Sequence, residues 1–207
     1  MCAAWPSPTA AEPHHPYRDA AHVCVDPIVH DYLSGPTFNV VRDEASRIWL
    51  RHGVALTWNG AAATQCDALV PLVFDEKALN KHDGNADRES LARTVFLGHT
   101  QVIYLSVPRA FEMLKTILPA VVGPQWQESQ GGTLLGRVVA HELGHVLLTS
   151  TAHATTGLMR PIYGRRDVLS DDERMQDLST AEARRLVMRF SLVLIEPATA
   201  LAARGTP

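Results

Sequence analysis

The sequence predicts an α+β fold, a small twisted mixed sheet packed on one central helix and a C-terminal helix. Three observations carry that expectation. Short apolar, β-branched segments recur between residues 54 and 106, bounded by Gly, Pro, Asn or Asp. Apolar residues fall at helical spacing over 40–52, 108–118 and 133–148. Ser179-Thr180-Ala181-Glu182 then gives an N-cap with an acid in the first turn, opening a last helix toward Ile195.

Length and composition set the frame. The 207 residues suit one domain with a substantial core. At 46% hydrophobic and 20% charged, the composition is that of an ordinary globular chain. A net charge of -3 excludes the strong positive field that nucleic-acid binding uses, so no nucleic-acid partner is expected. Arg165-Arg166 and Arg184-Arg185 read as solvated surface rather than a phosphate site. No apolar run reaches the ~18 residues of a membrane span. The start, Met1-Cys2-Ala3-Ala4-Trp5-Pro6, lacks the positive start and apolar core of a signal peptide. The protein is therefore expected inside the cell, or secreted if an export signal was removed or lies upstream.

Residues 1–36, with Pro6, Pro8, Pro13, Pro16, Pro27 and Pro36, are expected to form an irregular or extended N-terminal arm, with His14 and His15 on its surface. The domain proper then spans 37–207. Val41, Ala45, Ile48 and Trp49 mark a helix that Gly53 stops. Val54–Trp58 is a strand ending at the Asn59-Gly60 turn. Ala68–Phe74 is a second strand, which Pro71 assigns to an edge or a bulge. Residues 75–92 form a polar loop; Asp83-Gly84-Asn85-Ala86-Asp87 lacks the spacing and closing Glu of a calcium loop. Strands at 94–97 and 101–106 flank Gly98-His99-Thr100, where His99 reads as a surface residue. A helix over 108–118 and a loop over 119–132 lead to the central helix at 133–148. Three cysteines, Cys2, Cys24 and Cys66, are too few for a disulfide framework. Cys24 and Cys66 either bridge or stay free, and a Cys2 or Cys24 thiolate over the central site would hold it latent.

The chemistry concentrates in His141-Glu142-Leu143-Gly144-His145. Residues four apart on a helix share a face, so His141 and His145 offer two imidazole nitrogens to one metal ion, which suits Zn²⁺. Glu142 lies one position round from His141, placed to act as general base without ligating. A catalytic zinc usually takes three protein ligands. His153 is the nearest candidate for the third, with a carboxylate from Asp171, Asp172 or Glu173 as the competitor.

His141, Glu142, His145, His153 and the Gly157-Leu158-Met159 turn together resemble the metzincin clan of zinc metallopeptidases, within the zincin-like fold. The motif covers a short part of the chain; the order of helix, strand and edge strand before it matches in arrangement alone. The resemblance implies a third histidine ligand and a methionine turn, here Met159, forming an apolar floor under the metal. It also implies an extended peptide paired along an edge strand, assigned to Gln101–Ser106. Tyr163, four residues past Met159, is a candidate oxyanion or substrate contact. Two departures mark a divergent branch. The clan has glycine three positions after the second histidine, where this chain has Leu148; its third histidine comes six positions on, whereas His153 is eight after His145.

The sequence thus predicts a zinc-dependent endopeptidase with Glu142 as base, acting on a peptide or protein substrate. A zincin-fold protein that binds metal or a partner without proteolysis is the alternative.

Overall fold

Helix and strand patterns in the sequence reappear in the computed structural model, which describes residues 20–29, 33–58, 66–75, 90–118, 123–161, 170 and 172–192. In chain order the elements are β1 (Ala21–Val29), α1 (Gly35–Leu50), β2 (Val54–Trp58), β3 (Ala68–Phe74), β4 (Ala92–Leu97), β5 (Thr100–Leu105), α2 (Val107–Ile117), α3 (Pro124–Leu148), a short 3-10 turn (Glu173–Gln176) and α4 (Thr180–Phe190). The fold is α+β. Its single five-stranded sheet runs β2-β1-β3-β5-β4, with β4 antiparallel to β5 and every other pair parallel.

The first correction concerns the N-terminal arm. Residues 21–29 are a strand between β2 and β3, not irregular chain. Ala21, Val23 and Val25 alternate inward and are fully buried, a period-2 pattern that His22, Asp26 and Pro27 obscure. Pro27 is tolerated because it lies past the last β1–β2 pair, Val25 with Trp58, where β1 has lost one neighbour. His14 and His15 lie outside the described residues.

Pro71 follows the same logic and overturns the edge assignment of β3. The strand is central, but Pro71 precedes Leu72, the first residue to pair with β5, so its missing N–H faces no ladder there. The expected edge strand at 101–106 is likewise interior. The edge on that side is β4, with β2 at the other, and β4 begins at Ala92 rather than Thr94.

The central helix is longer than expected. It starts at Pro124, where proline's fixed φ suits the first turn, and takes in most of the predicted loop. Gly131-Gly132, which read as loop, are contact points within the helix. A Cβ on Gly132 would stand 2.6 Å from the Val40 side chain, so its absence is what lets α1 lie close to α3. The last helix ends early, at Phe190, because Ser191 turns left-handed (φ 52°). Its start is as expected: Ser179 and Glu182 form a reciprocal capping box.

The core lies between the inner sheet face and the α1–α3 pair. Val23, Val25, Val70, Leu72, Ile103 and Leu105 from the sheet meet Ile48, Trp49, Leu135, Val139 and Leu143 from the helices. Trp49 donates its indole N–H to the Ala140 carbonyl at 3.0 Å, fixing α1 against the residue that immediately precedes the predicted motif. Cys24 and Cys66 are joined in a disulfide, so Cys24 is no free ligand, and the latency idea loses that thiolate. The bridge spans 42 residues, and loop closure of that size contributes about 4 kcal/mol. No helix among the described residues is long and apolar enough to cross a membrane.

A buried ion-pair network completes the α1–α3 contact. Arg137, 4% exposed, donates to Glu44 at 2.9 Å, and Arg47 donates to both oxygens of the same carboxylate. Burial pushes the Glu44 pKa up, but Arg47 and Arg137 outweigh it and hold the group below 4.5. A carboxylate with a depressed folded pKa stabilises the fold above its ordinary range and loses that contribution as pH falls. Glu44→Ala, which strands Arg137, is expected to cost about 3 kcal/mol in urea unfolding at about pH 7. The gap between wild type and variant should narrow as pH falls through the lowered carboxylate pKa.

Candidate metal centre

The buried half of α3 carries His141 and His145 on one face, each with its ring held from behind. His141 Nδ1 lies 2.8 Å from the Leu158 carbonyl, and His145 Nδ1 lies 2.7 Å from the Ser150 carbonyl. An Nδ1–H given to a carbonyl leaves the Nε2 lone pair facing outward, the tautomer a metal ligand needs. The two Nε2 atoms are 3.1 Å apart.

His153 completes the group. The ligand atoms of His141, His145 and His153 all lie within 4.8 Å of one another, and among the described residues this is the one such cluster. The His153 ring stacks on His141 (5.3 Å, 17°) and stands edge-on to His145. The carboxylate competitors are engaged elsewhere. Asp172 accepts from Arg174 at 2.8 and 2.9 Å, and Glu173 accepts from Arg47 at 2.8 Å. Asp171 and Tyr163 lie outside the described residues. His99 is exposed in the β4–β5 turn.

Bringing His153 round requires α3 to stop abruptly. Thr149 adopts a left-handed conformation (φ 48°), and its N–H bonds Val146 while the Ser150 N–H bonds the His145 carbonyl. That pair of bonds is a Schellman motif, here with threonine where glycine is usual. Arg189 of α4 donates to the Val146 and Leu147 carbonyls at 2.7 and 2.9 Å and also contacts the Thr149 hydroxyl. The helix stops where its sequence pattern ends, at Leu148 and the easily turned Thr149-Ser150-Thr151, but Arg189 was not legible as part of the site. A cation at a helix C-terminus is a recognisable pattern, but nothing in the sequence says that residue 189 meets this helix.

Met159 is buried against Gly144, inside the His-Glu-x-x-His motif. A Cβ on Gly144 would stand 2.2 Å from Met159 Sδ, so the glycine inside the motif makes room for the methionine. The same turn supports the ligands directly. Leu158 supplies the carbonyl for His141, and the Ala154 N–H bonds the Met159 carbonyl at 2.8 Å, tying the His153 segment to the Met159 turn.

Burial controls the electrostatics. It pushes His141 down to about 4, with repulsion from His145 and His153 adding to it against the Leu158 bond. His145 is lowered by burial against the Ser150 bond, and His153 by burial and by His145. All three imidazoles are therefore neutral near pH 7, as ligation requires. Glu142, 7% exposed, moves the other way: burial raises it to about 7, opposed by the Thr94 hydroxyl and the Arg93 charge. Thr94 Oγ1 stands 2.7 Å from Glu142 Oε2 and 3.0 Å from the Glu142 carbonyl.

The donor set, three convergent neutral imidazoles with two held by carbonyls, fits a divalent metal ion. No family model matches the chain, and no curated protein matches it. His153→Ala should weaken Zn²⁺ affinity in equilibrium dialysis by more than the ~10–100-fold that losing an outer partner costs. Asp172→Asn should leave that affinity unchanged.

Proposed function

We propose that this chain is a zinc-dependent metallopeptidase of zincin-like fold, with His141, His145 and His153 as ligands and Glu142 as general base. One observation carries the reading: a buried carboxylate on α3 beside three convergent imidazoles, two from the same helix and His153 from the segment after it. Three histidines leave one position of a tetrahedral zinc open, the arrangement of catalytic rather than structural sites. Zinc bound there would supply a Lewis acid for a scissile carbonyl and a water acidic enough to ionise near neutral pH.

The remaining work falls to this chain's own groups. Glu142, ionised, takes a proton from the attacking water and returns it to the leaving amine. The substrate side is β4, the antiparallel edge whose Thr94 touches Glu142. An extended peptide added to that edge would bring its backbone alongside the base. The Cys24–Cys66 bridge favours work in an oxidising compartment.

Glu142→Ala is expected to keep its zinc and lose hydrolysis of casein and of a mixed peptide library by about 100-fold or more. Zinc-loaded wild type that leaves both uncut would instead favour the non-proteolytic, partner-binding reading. The sign of the pH response follows from the base. The carboxylate is the active form, so kcat/KM should rise with pH through its pKa. A cation beside Glu142 stabilises the ionised form, which sets this limb below the metal-free value of about 7.

A further inference from the structure

Glu142 is the one carboxylate buried beside the three histidines, and its side chain has three rotatable bonds. A general base must hold its accepting oxygen to a fraction of an ångström, because small misplacements cost large factors in rate. Something other than the helix has to fix it. The side chain that reaches it is Thr94, 48 residues earlier in the chain and on a different element. Its hydroxyl proton is shared between Glu142 Oε2 at 2.7 Å and the Glu142 main-chain carbonyl at 3.0 Å. Both contacts hold one residue by its two ends, so the carboxylate is referenced to its own backbone. Oε1 takes no hydrogen bond among the described residues and is left as the proton-accepting atom. Threonine suits the task, since β-branching restricts its χ1 and strand pairing with Ile103 fixes its backbone.

We propose that Thr94 is a positioning residue for Glu142, anchoring Oε2 so that Oε1 faces the reacting water. This rests on the peptidase reading. It also makes β4 serve two ends of one reaction: the strand that would pair with the peptide also fixes the base. Docking of substrate along that edge and alignment of the base are then mechanically one event.

Thr94→Val keeps the shape and removes the hydroxyl, and Thr94→Ser keeps the hydroxyl. With zinc-loaded protein and a cleaved peptide, Thr94→Val should lower kcat about 10–100-fold with KM nearly unchanged, and Thr94→Ser should recover most of it. Zinc content should equal wild type in both. Crystal structures should show the Glu142 carboxylate displaced or in two conformers in Thr94→Val alone. Wild-type kcat in Thr94→Val, a Thr94→Ser variant as slow as the valine, or an unmoved carboxylate each overturns the role. Loss of zinc in Thr94→Val would also overturn it, by making the residue structural. Wild type that cuts no peptide removes the peptidase reading and this role with it. Wild type that cuts while Thr94→Val keeps its kcat removes the role alone.

Discussion

The left-handed turn at Thr149 is the constraint on which the site depends. Two histidines on one helix face follow from a four-residue spacing, but the third must arrive from outside the helix. If α3 continued one more turn, His153 would project along its axis, away from His141 and His145. A non-glycine residue in the left-handed region costs about 1–2 kcal/mol. The cost is offset by the two Schellman bonds and by Arg189, whose guanidinium lies at the negative end of the helix dipole. The Ser150 carbonyl, presented by this turn, is what orients His145. Stopping the helix and tuning a ligand are therefore one piece of geometry.

The stop also accounts for the spacing that departs from the metzincin pattern. The clan's glycine falls at Leu148, still helical here, and the turn comes one residue later at Thr149. A helix that runs on and a loop that is longer together place His153 beside its partners at eight residues' separation. What supports this half of the site is almost entirely main chain: the carbonyls of Leu158 and Ser150, and the Ala154–Met159 link. Such groups leave no trace in residue identity. Here they are present with Leu148 and Thr149, and no glycine, at the helix exit.

Legibility followed sequence distance. The His-Glu-x-x-His face, the short strands and the capping box at Ser179 each rest on residues within a few positions of one another, and each is present. β1 was hidden because a proline-rich approach masked its inward alternation, although Ala21, Val23 and Val25 kept the period. The front of α3 was hidden because glycines that serve close packing read as loop. Sheet order could not be read at all, since it depends on which distant strands pair. Pro71 pointed to an edge in a strand that is one-sided only where the proline sits. Thr94 and Arg189 were invisible for the same reason: each meets the site across 40 or more residues.

The site is electrostatically unfavourable as protein alone. Three imidazoles are held neutral and a carboxylate is pushed up to about 7, all by burial. A divalent cation reverses each term, using the lone pairs and stabilising the carboxylate. X-ray absorption at the zinc edge of the purified, zinc-loaded protein addresses this directly. One zinc per chain is expected, bound by three imidazole nitrogens and one light oxygen at about 2.0 Å. Sulfur in the first shell, or a coordination sphere that keeps three imidazoles after His153 is replaced, would contradict it.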